Sequence, residues 1–222
     1  MATPPKARSS RYRRKGERTR ESILRVAVDL ASVEGLEGLT IGRLAHTLKM
    51  SKSGLFAHFG SKTDLQLATI EMARTIFTEH VVRPALTQPA GLPRLWRFCE
   101  LWVGHVQEKV FAGGCFFTAA SFEFDSRPGP VRTAIVDAMR QWLDTLTRAI
   151  DEAKNAGHIK ADVNAARLAS ELYSIAVGAH WAFQLLDQKK AYLDGRETIL
   201  ARLRSVATPT VGRSEVDRML RS

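Results

Sequence analysis

Apolar residues recur at helical spacing from residue 19 to about residue 205, and nowhere does the chain sustain the every-other-residue alternation of a half-buried strand. That periodicity predicts an all-α protein. The first helix is expected over about 18 to 33, with Ile23, Val26, Ala27, Leu30 and Ala31 on one face and Gly35 beyond its end. Thr40 is placed to cap a second short helix bearing Ile41, Leu44, Ala45 and Leu48, and Ser51 a third bearing Leu55 and Phe59. Gly60 closes the third, and Ser61-Lys62-Thr63-Asp64 has the form of a capping box for a fourth running to about Val82. Pro84, Pro89, Gly91 and Pro93 end that helix. Further helices are expected at about 93 to 110, 115 to 124, 130 to 156, 163 to 187 and 192 to 205, with the last sixteen or so residues frayed.

At 222 residues and 45% hydrophobic content the chain can bury a substantial core without staples. Its two cysteines, Cys99 and Cys115, read as free thiols, and with no apolar secretory segment a reducing, cytoplasmic setting is expected. No apolar run approaches the roughly 20 residues that cross a bilayer, so no membrane partner is expected. Charge is the asymmetric property. Residues 1 to 20 hold eight Lys and Arg against Glu17 alone, so most of the net charge of +10 sits in one arm ahead of the first helical pattern. Such an arm suits a polyanion, and a disordered solvated tail with no DNA role is the equal alternative.

Residues 40 to 59, TIGRLAHTLKMSKSGLFAHF, have the spacing of a helix-turn-helix, with small Ala45 where the two helices touch. If Leu55 and Phe59 face inward, Ser53, Gly54 and Ala57 face outward with Lys52 at the tip. A narrow outward side is what a helix needs to enter the major groove of double-stranded DNA; Lys52 can donate to guanine and the Ala57 methyl can pack on thymine. Thr40, Arg43, His58 and Lys62 lie where they could fix phosphates. A purely structural three-helix bundle is the alternative.

These segments, Thr40 to Ala45, Ser51 to Phe59 and Lys62 to Leu65, resemble the tetracycline-repressor-like (TetR) regulators over roughly residues 18 to 70. The resemblance implies a homodimer, a palindromic operator, and release from DNA when a small molecule enters a larger C-terminal domain. Two departures stand out. Phe56, on the DNA side, replaces a tyrosine whose hydroxyl would bond a phosphate, and Lys49 occupies a turn position where glycine is common.

The domain reading is therefore a flexible basic arm over 1–17, a DNA-binding domain over 18–62, a helical ligand-binding and dimerisation domain over 63–206, and a flexible tail over 207–222. Among the large aromatics of the C-terminal part, Trp102, His105, Trp142, Tyr173 and His180 are the candidates to line a cavity for an unidentified effector, each weighed against simple packing. Cys115, after Gly113-Gly114, reads first as a buried inert thiol and second as a sensor thiol at a helix N-terminus. The segments 163–187 and 192–205 carry apolar residues in excess of one monomer's needs, including Leu168, Leu172, Ile175, Ala176, Ala179, Phe183, Ile199, Leu200 and Leu203, which suggests a two-fold four-helix bundle. No catalytic residues, metal ligands or cofactor are assigned. The six histidines form no H-x-x-x-H pair and no E-x-x-H motif, and no glycine-rich phosphate loop occurs, which leaves a helical-bundle enzyme without a recognisable catalytic set. A DNA-binding architectural protein without an effector is the other rival.

Overall fold

The computed structural model describes the backbone of residues 6–209 and the side chains of residues 16–209. Among the described residues the secondary structure is helical, relieved only by an isolated bridge between Ile159 and Ala207. The helices are α1 (Lys6–Glu34), α2 (Ile41–Leu48), α3 (Lys52–Phe59), α4 (Lys62–Phe77), α5 (Leu92–Gly104), α6 (Phe116–Phe124), α7 (Pro130–Asn155), α8 (Ala165–Leu186) and α9 (Ala191–Val206).

The short helices begin where their capping chemistry places them. Thr40 Oγ1 accepts from Arg43 N–H at 3.1 Å, Ser51 Oγ from Gly54 N–H at 3.1 Å, and Ser61 Oγ from Asp64 N–H at 3.0 Å, each satisfying a first-turn donor. The expected capping box is half formed: Asp64 takes the Ser61 hydroxyl proton at 2.6 Å instead of reaching the Ser61 amide. Lys49 ends α2 in the left-handed region, φ 53° and ψ 37°, a conformation that costs a residue with a Cβ.

Two boundaries differ from expectation. Helix α1 starts at Lys6, not near residue 18, so most of the expected flexible arm has helical backbone. The apolar pattern marks where the helix is packed and not where it begins; Arg and Lys are good helix formers, no proline interrupts 6–34, and extending an existing helix avoids the nucleation cost. The arm's side chains before Gly16, and the expected tail from 210 onward, lie outside the described residues. Helix α4 also does not stop cleanly. It opens into a wide turn at Thr78–Val82, where Arg83 N–H reaches Thr78 O, and ends in a single turn at Arg83–Ala85. Pro84 explains the widening, since its ring has no N–H to donate and would crowd the carbonyl four residues back.

Helices α1 to α3 bury Ala27, Val28, Leu36, Leu44 and Leu55, and α4 runs from this small domain into the larger one. There α8 packs against both α7 and α9, and α5 closes the bundle. Leu168, Leu172, Ala176, Ala179, Ile199, Leu200 and Leu203 are therefore buried within their own chain, while Ile175 and Phe183 are only partly buried. Of the large apolar side chains left in water among the described residues, Trp181, Leu185, Leu186 and Leu193 cluster around the α8–α9 turn, while Val33, Phe56, Leu86 and Phe122 lie elsewhere.

Candidate nucleic-acid interface and interior cavity

Helix α3 buries Leu55 and Phe59 and turns Lys52, Ser53, Phe56 and Ala57 to solvent, with Gly54 and His58 half-buried. The small outward side is thus free of the protein's own interior. Phe56, 56% exposed, makes it broader than Ser53, Gly54 and Ala57 alone would. The Lys52 stem reaches back over α2, so that a Cβ at Gly42 would sit 3.8 Å from Lys52 Nζ. From α1, Arg20 stands over the Phe59 ring at 5.3 Å.

The cations flanking this helix are already engaged. Arg43 forks onto Glu34 of α1, with Nε to Oε2 at 2.8 Å, and its hydrogen bonds hold the Glu34 carboxyl below the usual range. Lys62 Nζ lies 2.7 Å from Glu37 Oε1 and depresses that carboxyl likewise. Thr40 spends its hydroxyl oxygen on the α2 cap, and Ser53 Oγ donates to Ser51 at 3.3 Å.

The loop between α1 and α2 is gripped from the larger domain. Glu123 of α6 accepts the Leu36 amide at 2.8 Å and the Glu37 amide at 3.0 Å, and Gln66 of α4 donates to Leu36 O at 2.9 Å. Gly113 donates to Ser32 Oγ at 2.9 Å and receives Gln184 Nε2 at 2.7 Å on its carbonyl. Its approach to α1 is so close that a Cβ would fall 2.0 Å from Ser32 O.

A cavity of about 460 Å³ lies between α4, α6 and α7, walled at depth by Phe77, Trp102, Cys115, Phe117, Trp142 and Tyr173. Trp142 meets Phe77 edge-on at 5.0 Å and Trp102 at 5.3 Å, and Trp102 stacks on Tyr173 at 5.5 Å. Arg74 bonds Gln141 across the rim, joining α4 to α7. The Trp142 indole N–H is buried with no acceptor. Among the described residues no cluster of side chains has metal-ligand character, and no helix is long and apolar enough to cross a membrane.

A family model for bacterial regulatory proteins of the tetR family matches residues 23–69, and one for the tetracyclin repressor-like C-terminal domain matches residues 91–199. The chain belongs to the TetR family. The transcriptional regulator AcuR of Cereibacter sphaeroides is 22% identical over 143 residues, a match covering 64% of this chain and 65% of that protein, just under two thirds of the relative's length. A TetR regulator from Chloroflexus aurantiacus shares the fold with a TM-score of 0.81 at 22% identity, covering 87% of this chain and 98% of that one. AibR, solved with isovaleryl coenzyme A and operator DNA, superposes with a TM-score of 0.65 at 19% identity, over 84% of this chain and 97% of its own.

Within this TetR chain, Trp102, Trp142 and Tyr173 come together on the cavity wall. His105 and His180 stand away from it. Helix α5 stops at Gly104, which leaves His105 just past its end, buried between Phe77 and Phe111. His180 bonds the Tyr192 hydroxyl through Nδ1 at 3.0 Å, and burial pushes its pKa down to about 4. Phe77, on the linking helix α4, and the clamp residues Glu123 and Gly113 were not singled out from sequence. Only the paired glycines before Cys115 hinted at a close approach.

Proposed function

We propose that this TetR-family transcriptional regulator is a homodimeric repressor that leaves a palindromic operator when a small molecule fills the cavity between α4, α6 and α7. The observation that carries the reading is that two helices touch both ends of the problem. Helix α4 supplies Phe77 and Arg74 to the cavity and, at its start, Lys62 and Gln66 to the α1–α2 loop. Helix α6 supplies Phe117 and Thr118 to the cavity and Glu123 to the same loop. A ligand that spreads α4 from α7 has to displace the Arg74–Gln141 contact and tilt the helix that carries the small domain.

On the DNA, Lys52, Ser53, Gly54 and Ala57 read base edges, and Phe56 packs against sugar or a thymine methyl. Thr40, Arg43, His58 and Lys62 position phosphates, Arg43 and Lys62 by exchanging Glu34 and Glu37 for the backbone. The exposed Trp181, Leu185, Leu186 and Leu193 join two copies, giving the two-fold symmetry a palindrome requires. Wall residues Trp102, Trp142 and Tyr173 hold the effector, with His105 and His180 supporting from behind. Reversing the populations from 99:1 to 1:99 takes a differential affinity of about 5.5 kcal/mol, which the aromatic floor of the cavity and its polar rim would have to supply together. AibR, solved with isovaleryl coenzyme A and operator DNA, is a protein of the same fold that takes both a small molecule and an operator.

Footprinting of the purified protein on the DNA upstream of its own gene, followed by a small-molecule screen for release, tests this reading. Protection of a palindrome and its loss with a cavity ligand is expected. A protein that binds duplex DNA and ignores every ligand that enters the cavity would leave the architectural alternative standing.

A further inference from the structure

Among the described residues, one buried side-chain nitrogen on the cavity wall has no partner. Trp142 of α7 lines the cavity at 8% exposure, and its indole N–H finds no acceptor. A buried donor left unmet costs free energy, so the site gains by receiving an acceptor. Two hydroxyls of the same lining are already spent on their own helices: Thr75 donates to Glu71 O at 3.0 Å and Thr145 to Gln141 O at 2.8 Å. Water is a poor occupant beside the indole. It needs two or more polar partners, and Phe77 and Phe98, edge-on to Trp142 at 5.0 and 6.0 Å, supply none. The other unpartnered nitrogen, His105 Nε2, lies off this wall behind Phe77.

Charge is distributed as sharply. The charged side chains that reach the cavity are Glu71, Arg74, Glu79 and Arg83, all from α4 and the turns that follow it, all at the rim, two of each sign. Arg74 holds Glu71 at 2.8 Å, and Arg25 of α1 faces Glu79 at 3.8 Å. At depth the wall is aromatic and uncharged, so an ion drawn down to Trp142 would lose its hydration and gain no counter-charge. A cation fares worst, because the indole edge presents a hydrogen and one face of Trp102 is already stacked on Tyr173 at 5.5 Å.

We infer that the cavity takes an uncharged, flat aromatic ketone, held by a hydrogen bond from the Trp142 N–H to the ketone oxygen. This deepens the proposed function and rests on it for the cavity's regulatory role. A ketone oxygen conjugated to an aromatic ring lies in the ring plane. The ligand can therefore enter edge-first among Phe77, Trp102 and Phe117 while its oxygen meets the indole edge, and ring-to-ring contacts add to the gain from leaving water. At about 460 Å³ the cavity is of a size for such a molecule. Trp142 follows Gln141, whose side chain holds Arg74 across the rim, so an occupant that shifts the indole disturbs the α4–α7 contact invoked for release.

Flat tricyclic compounds of similar size are the probes: fluorenone, fluorene with a methylene in place of the carbonyl, fluorenone carboxylate as the anion, and N-methylacridinium as the cation. Calorimetric titration of the full chain should rank fluorenone first, with each of the others weaker by about tenfold or more. Transfer from water alone gives the opposite order for fluorene, the more apolar of the matched pair. Trp142→Phe keeps a ring and removes the N–H; it should weaken fluorenone by about tenfold or more and fluorene by less than about threefold. If that variant misfolds by circular dichroism, infrared spectroscopy of the wild-type complex decides, the bound ketone stretch falling below its position in a solvent without donors. Fluorene binding as tightly as fluorenone, either ion binding more tightly, equal losses in Trp142→Phe, an unshifted stretch, or no binding by any probe would each overturn the inference. Operator binding is followed in parallel. Fluorenone bound in the expected order without release strikes the cavity's role in the proposed function and leaves the ligand class standing. Release by a cavity ligand that ignores the Trp142 N–H does the reverse.

Discussion

Replacing Glu123 by alanine removes one carboxylate that accepts two backbone amides, Leu36 at 2.8 Å and Glu37 at 3.0 Å, across the joint between the small domain and the rest. Hydrogen bonds to a charged acceptor contribute about 1.5–3 kcal/mol each, and the stranded donors here are part-buried, so water recovers some of the loss. A net cost of about 2–3 kcal/mol follows, which for a chain of this length lowers Tm by about 4–12 °C. The geometry has been made for this residue. Gly35, at φ 87°, leaves room where a Cβ would lie 2.8 Å from Glu123 Oε1. The loss should be local, so amide exchange at Leu36 and Glu37 should accelerate by roughly 30- to 150-fold while the α7–α8 core keeps its protection. Glu123→Gln retains one acceptor oxygen and should lose about half as much. If Glu123→Ala shifts Tm by less than 1 °C and leaves both amides protected, the clamp contributes nothing and α6 is not a strut between the cavity and the DNA-binding domain.

On DNA, Lys52→Ala should relax discrimination among operator variants at one base position, whereas Lys62→Ala should weaken all sequences alike and make the slope of log K against log salt shallower by about 1, as titration on matched and mismatched duplexes would show. Leu193→Glu together with Trp181→Glu should convert the dimer to a folded monomer by light scattering; a dimer of unchanged affinity would refute the assigned interface. For pH, His180 is held near pKa 4 in the fold against about 6.5 unfolded, so the folded state binds fewer protons between these values. Its stabilising contribution is complete above pH 6.5 and lost as pH falls towards 4. Discounted for the ring's partial exposure it is about 1–2 kcal/mol, and His180→Asn should flatten denaturation midpoints over that window. Glu34, Glu37 and Glu171, whose pKa values their Arg and Lys partners lower, lose their contributions only below about pH 4.5 and so do not mask it.

What the sequence made legible is whatever is encoded locally. Thr40, Ser51 and Ser61 start their helices because a short polar side chain reaches an amide three residues on, a relation visible in one dimension. Leu55 and Phe59 set the inward side of α3 by the same arithmetic of helical period. Pairings across long separations were not legible: Lys62 finds Glu37 25 residues away, and Glu123 finds Leu36 at 87. His105 was misplaced for a related reason. Helical-wheel reasoning carried it along α5, but the helix ends one residue earlier and the ring turns inward behind the cavity. That seven of the nine apolar residues counted toward a dimer face on α8 and α9 are covered by their own chain was not legible either, because a single sequence does not reveal that α8 is packed on two sides.

The close approach at Gly113 bears on how a signal could cross this joint. Ser32 of α1, Gly113 and Gln184 of α8 form a continuous hydrogen-bonded line, and a Cβ at residue 113 would collide with backbone and not with a side chain that could swing away. Backbone-on-backbone contact resists bending, so α1 and the segment leading to Cys115 move together or separate outright. The α4 contacts are of another kind: the Lys62–Glu37 pair and the Arg74–Gln141 bond join long side chains that can exchange partners at little cost. On the proposed reading, a ligand in the cavity would therefore act by a lever with an unequal pair of arms. The α6 side transmits displacement stiffly to the α1–α2 loop, while the α4 side yields, and the small domain rotates about the stiff contact instead of translating. Rotation alters the spacing of two recognition helices related by a two-fold axis more than it alters either helix's own fold, which is the change a palindrome would detect.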